Sequence, residues 1–114
     1  MPLDPAAALT ARAHEVTARL AALDADLAVV RDARGPEQSD DEHDPEGATL
    51  ADDLARLVGL RRAAASELAA VEAAQARLST GTYGVCERCD GPIGAGRLAV
   101  RPAAVRCVAC ADLG

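Results

Sequence analysis

At 114 residues the chain has room for one domain or a pair of small units. With Tyr83 as its one aromatic residue and many of its apolar positions filled by alanine, it cannot build a conventional globular core. A net charge of −6 argues against broad electrostatic affinity for nucleic acid, and no stretch approaches the ~18 consecutive apolar residues of a membrane span.

The chain begins Met1-Pro2-Leu3-Asp4-Pro5, with neither a basic stretch nor an apolar run, so an export signal is not expected and a cytoplasmic location is. Two long helical patterns follow. The first places Leu9, Ala13, Val16, Leu20, Leu23, Leu27 and Val30 at alternating spacings of four and three. The second does the same with Leu50, Leu54, Leu57, Arg61, Ala64, Leu68, Val71, Gln75 and Leu78. Each is a heptad seam, the pattern of helices that bury a narrow stripe against one another. Arg61 and Gln75 interrupt the second seam.

Between the seams, Pro36 forbids a simple continuation of the first helix, and Pro45 with Gly47 marks a second break. A connection this short predicts an antiparallel hairpin with Leu27 near Leu54, Leu23 near Leu57 and Val16 near Ala64. Helices of about thirty residues make a rod roughly 45 Å long. Gly81 is placed to stop the second helix. The predicted division is therefore a hairpin over 1–80, its tip at 35–47, and a separate unit over 81–114.

The tip is acidic. From Gly35 to Ala55 there is no arginine, while Glu37, Asp40, Asp41, Glu42, Asp44, Glu46, Asp52 and Asp53 are all carboxylates. Charge runs are ordinarily solvated turns. At the end of a stiff stalk, however, such a run can also reach into a positively lined cleft.

Past Gly81 come the four cysteines, Cys86-Glu87-Arg88-Cys89 and Cys107-Val108-Ala109-Cys110, with 17 residues between the pairs. That spacing reads as a tetrahedral zinc site with four thiolate ligands. Two residues between paired cysteines let a tight turn aim both sulfurs at one ion. Four thiolates leave no open position for water or substrate, so the zinc is structural rather than catalytic. A disulfide pair suits a secreted mini-protein, and redox chemistry of the thioredoxin kind needs a parallel-sheet unit that is not visible. The segment holds few apolar side chains (Val85, Ile93, Leu98, Val100, Val105, Val108, Leu113), too few to offset its chain entropy. A structural zinc contributes on the order of 10 kcal/mol, and that is folding free energy.

The run Gly81-Thr82-Tyr83-Gly84-Val85-Cys86-Glu87-Arg88-Cys89-Asp90-Gly91-Pro92-Ile93, continuing through Arg97-Leu98-Ala99-Val100-Arg101-Pro102 to Cys107 and Cys110, resembles the zinc finger of the DksA/TraR family. The acidic hairpin before it matches that family in pattern. The resemblance implies an all-α fold, an antiparallel two-helix coiled-coil hairpin with a small C-terminal four-cysteine zinc finger. It implies one structural Zn²⁺ on Cys86, Cys89, Cys107 and Cys110. It also implies a monomeric bacterial transcription regulator, not an enzyme, that binds RNA polymerase rather than DNA and slides its tip into the secondary channel. The family's tip motif, Asp-x-x-Asp-x-Ala, aligns with Asp41-Glu42-His43-Asp44-Pro45-Glu46, which gives the two aspartate roles to Asp41 and Asp44 and sets Glu46 where the family has alanine. Longer members also carry a helix after the finger.

Two rival functions remain open on the residues alone. A zinc-ribbon nucleic-acid binder is favoured by Arg88, Arg97, Arg101 and Arg106, but Glu87, Asp90 and Asp112 offset most of that charge and stacking aromatics are absent. A coiled-coil adaptor would use the finger to clamp the helix ends. His14 and His43 form no nucleophile–base pair with any serine or cysteine, and a loop tip has no pocket to tune paired carboxylates. Tyr83 reads as a packing residue where helix and finger meet.

Overall fold

The computed structural model describes residues 4–34 and 45–112. Asp41 and Asp44, with most of the expected tip, lie outside the described residues. Four helices occur in the order α1 (Pro5–Arg34), α2 (Pro45–Thr80), α3 (Ala95–Val100) and α4 (Val108–Ala111). No helix among the described residues is long and apolar enough to cross a membrane. The pairing of extended backbone among them is one isolated antiparallel bridge, Val85 with Pro92.

The ends of the long helices follow from local chemistry. Asp4 caps α1: its Oδ1 accepts the Ala6 amide at 3.1 Å and its carbonyl accepts that of Ala8 at 2.9 Å. Pro5 then takes the first helical position, where a missing N–H costs nothing. Pro45 plays the same part for α2, so helix begins at the proline and Gly47 lies inside the first turn. The break expected at Pro45 and Gly47 is therefore a helix start, because the φ that proline imposes is already helical. At the far end Gly81 takes φ +83°. The Thr82 amide reaches back to the Arg77 carbonyl at 2.9 Å and the Gly81 amide to that of Leu78 at 3.4 Å. These two bonds are the Schellman arrangement that glycine permits.

Packing divides the chain into two compact units, one of residues 16–66 and the other of residues up to Glu15 with those from Glu67 onward. In the first, Val16, Leu23 and Leu27 of α1 and Leu57 and Ala64 of α2 are buried. Arg61, which the heptad pattern places on the seam, is exposed and reaches across to the Asp24 carboxylate. The seam position opens at that layer and the long side chain swings out to an interhelical partner.

In the second unit Leu9 (0 % exposed), Val71 and Ala74 form the buried centre, with Ala13, Leu78, Tyr83 and Ala103 packed around it. Ala74 is buried, while Gln75, the expected seam residue, is half-exposed. The seam runs Val71, Ala74, Leu78, a spacing of three then four, and this keeps the amide of Gln75 out of the core. Arg12 of α1 bonds Glu67 of α2 and also Glu15, 3.1 Å away on its own helix. Arg12 pairs with Glu67 here, and Asp24 with Arg61 in the other unit, so residue number rises on α1 as it falls on α2. The two long helices thus pack antiparallel, as a helical hairpin.

Leu27→Ala should lower stability by about 2–4 kcal/mol through lost burial and a residual cavity, whereas Val29→Ala, at a side chain 68 % exposed, should change it by less than about 0.5 kcal/mol. Thermal melts followed by helical circular dichroism compare the two. The Arg61 guanidinium, by its hydrogen bond first, holds the Asp24 carboxyl below its ordinary value. A carboxyl depressed in the folded state stabilises the fold above its unfolded value and loses that contribution as pH falls through the folded one. Asp24→Asn should therefore lower the melting temperature at pH 7 and leave it unchanged well below about pH 4, where both proteins are neutral at that position.

Candidate metal centre

Residues 84–93 fold into a tight loop around the first cysteine pair. Gly84 at φ +83° and Asp90 at φ 62° supply the left-handed turns. The Ile93 amide bonds the Gly84 carbonyl at 2.9 Å, the Cys86 amide the Gly91 carbonyl at 2.8 Å, and the Asp90 amide the Cys86 carbonyl at 3.0 Å. These bonds curl the chain so that Cys86 and Cys89 face the same side. Gly91 gives the first sulfur pair room: a Cβ at that position would lie 3.3 Å from the Cys89 sulfur, a tight contact. Asp90 holds a positive φ without being glycine, which aspartate tolerates better than most residues.

The second pair is positioned by a short helix. Cys107 stands just before α4 and its carbonyl accepts the Ala111 amide at 2.9 Å, while Cys110 lies within α4. Three ties join the halves of the finger. The Glu87 amide bonds the Val105 carbonyl at 2.8 Å. The Arg106 Nε reaches the Glu87 carboxylate at 3.0 Å, and the Arg97 Nε bonds the Arg106 carbonyl at 2.8 Å. Cys86, Ile93 and Cys110 make a small buried cluster, with Leu98, Ala104 and Cys107 against it.

These constraints bring all four sulfurs within 4.8 Å of one another. No pair is bonded as a disulfide; Cys89 and Cys107 stand 3.9 Å apart, about twice the length of an S–S bond. A tetrahedron of Zn–S bonds of ~2.3 Å has edges of roughly 3.8 Å, so the donor set fits zinc in both number and size. The electrostatics agree. Backbone amides, those of Cys89 and Cys107 first, pull the Cys86 thiol down to about 6. The neighbouring thiols, Cys107 above all, push Cys110 up to about 12. One sulfur is thus ready to be an anion while crowding keeps another protonated. A divalent cation reverses the second effect, because it stabilises every thiolate at once.

Cys86, Cys89, Cys107 and Cys110 would hold the ion, and its coordination shell would be closed. The finger carries a structural zinc. Among the described residues no other group of His, Cys, Asp or Glu side chains could hold a metal. The spacing of the cysteines announces the site, but not the anchoring of the finger. Arg77 donates to the carbonyls of Thr82 and Val85, and Tyr83 donates to the Pro102 carbonyl at 2.7 Å. Tyr83 is legible in the sequence as a packing residue, whereas nothing in the local pattern marks Arg77 as more than a basic residue in a last helical turn. Titration of the zinc-loaded chain with a strong chelator should release one zinc and expose four reactive thiols. The dispersed NMR signals of residues 81–112 should collapse while most helical signal remains.

Residues 81–112 match the model of the prokaryotic dksA/traR C4-type zinc finger. The chain is also similar to a solved structure described as the transcription factor DksA2 from Pseudomonas aeruginosa, with a TM-score of 0.76 and 24 % identity over 92 % of this chain and 75 % of that one. No curated protein matches the chain in sequence. The likeness in fold and the finger's sequence agree: residues 81–112 carry a DksA/TraR-type zinc finger, on a chain whose fold is similar to that of the solved structure.

Proposed function

We propose that this chain regulates transcription by binding RNA polymerase directly and presenting the acidic end of its hairpin to the secondary channel. The observation that carries this reading is the match of residues 81–112 to the DksA/TraR finger, on a chain whose fold resembles that of a transcription factor. The family is one of transcription regulators, not enzymes.

In this reading each part has a separate task. The finger and the adjoining ends of α1 and α2 form the body that docks on the polymerase. The seam of α1 and α2 supplies stiffness. Asp41 and Asp44 act near the catalytic centre, where carboxylates can perturb a bound metal ion or the basic residues around it. The electrostatics of the finger favour a protein partner over nucleic acid. Arg97 and Arg106 are committed to contacts within the finger, which leaves Arg88 and Arg101 as its exposed arginines, too few for an electrostatic footprint on a phosphate backbone.

The test is binding of the zinc-loaded protein to purified RNA polymerase from its own source, in competition with a factor known to occupy the secondary channel. Mutually exclusive binding is expected. Replacing both acids, Asp41→Asn with Asp44→Asn, should leave polymerase affinity within about twofold and abolish the effect on initiation in a promoter-complex lifetime assay. Equal activity of the double variant and the parent removes the tip from the mechanism. Absence of binding at micromolar concentration favours the adaptor reading instead.

A further inference from the structure

Two side chains at the junction of α2 with the finger have no part in the metal cluster, yet each fastens one cysteine pair to the helices. Arg77, in the last turn of α2, donates from its guanidinium to the Thr82 carbonyl and to that of Val85, the residue before Cys86. Its own carbonyl accepts the Thr82 amide, so side chain and backbone grip the same loop. Tyr83 donates its hydroxyl to the Pro102 carbonyl, on the stretch that leads into Cys107. Charge-assisted bonds to carbonyls are stronger and more directional than neutral ones, which suits Arg77 to this role.

The same junction covers the start of α1. Tyr83 and Ala103 pack against the buried cluster of Leu9, Val71 and Ala74, and Leu9 is 0 % exposed. Residues up to Glu15 accordingly group with the C-terminal part of α2 and the finger, from Glu67 onward, rather than with the remainder of their own helix. Part of the cover on that cluster thus depends on where residues 83 and 103 sit, and those positions depend on the folded finger. We propose that Arg77 and Tyr83 are positioning residues that couple metal occupancy of the finger to the order of the first turns of α1. The zinc then has two effects: it folds its own loop and, through these two side chains, it closes the end of the hairpin beside the finger.

Hydrogen exchange followed by mass spectrometry on the full chain, zinc-loaded and chelator-stripped, tests this. In the parent, stripping should speed exchange of amides 8–13 about tenfold or more and that of amides 19–30 less than about twofold, as expected for a local opening. The double variant Arg77→Ala with Tyr83→Phe keeps all four cysteines and the aromatic ring. It should still bind one zinc, yet exchange amides 8–13 about fivefold faster than the parent when loaded. Should that variant fail to load, Tyr83→Phe alone carries the same expectation at about twofold. Coupling is also reciprocal, so Leu9→Ala, remote in sequence from every cysteine, should weaken zinc binding about fivefold or more in a chelator competition. Unchanged protection of 8–13 on stripping, or parental zinc affinity in Leu9→Ala, overturns the coupling. Parental protection in the loaded variants overturns the assignment to Arg77 and Tyr83.

Discussion

Four sulfurs held within 4.8 Å of one another are the constraint on which the finger depends. Without a cation such a cluster is self-opposed: amides draw one thiol toward its anion while its neighbours hold another in the neutral form. With a divalent ion the same crowding becomes complementarity, and the binding energy becomes folding energy. The loop around the cluster is built to accept that exchange. Its turns are set by Gly84 and Asp90, its one crowded point is relieved by Gly91, and its halves are cross-tied through Glu87 and Arg106. The buried apolar content is little more than Ile93 beside two of the cysteines, so most of the finger's stability falls to the metal.

The helices solve a different problem with equally little material. No phenylalanine or tryptophan is available, so the seam is filled by leucine, valine and alanine. A stripe this narrow buries little per layer and specifies register weakly. The interhelical pairs Arg12–Glu67 and Asp24–Arg61 add the missing specification, because a shift of either helix separates the charges. Both pairs are solvent-exposed or nearly so, and such pairs contribute more to alignment than to stability.

Much of this architecture is legible in the residues alone. Leu9, Val16, Leu23 and Leu27 lie on the predicted seam and are buried, because a heptad repeat in a helix can face only one way. Cys-x2-Cys twice over points to the metal cluster for a similar reason: few backbones bring four cysteines together except to hold an ion. The features that local pattern does not disclose are set by contacts distant in sequence. Nothing adjacent to Gln75 says that Ala74 will take the core position, since the choice depends on what α1 and the finger press against that turn. Arg61 reads as an interruption until Asp24 stands opposite. Arg77 reads as a favourable charge at a helix C-terminus, and its bonds to Thr82 and Val85 become possible only once Gly81 has reversed the chain.

The packing of Tyr83 and Ala103 against the cluster of Leu9, Val71 and Ala74 also bears on the order in which the protein can be made. A ribosome adding roughly 5–20 residues per second takes on the order of 5–20 seconds to pass from one end of that contact to the other. Val71 and Ala74 of α2 are made well before that end, but the cluster lacks Ala103 until then, and the metal has no complete ligand set until Cys110 has emerged. The last packing at that cluster and metal capture therefore fall together late in synthesis. A chain truncated shortly before Cys110 would keep Tyr83 and Ala103 but lack the fourth sulfur that completes the metal site.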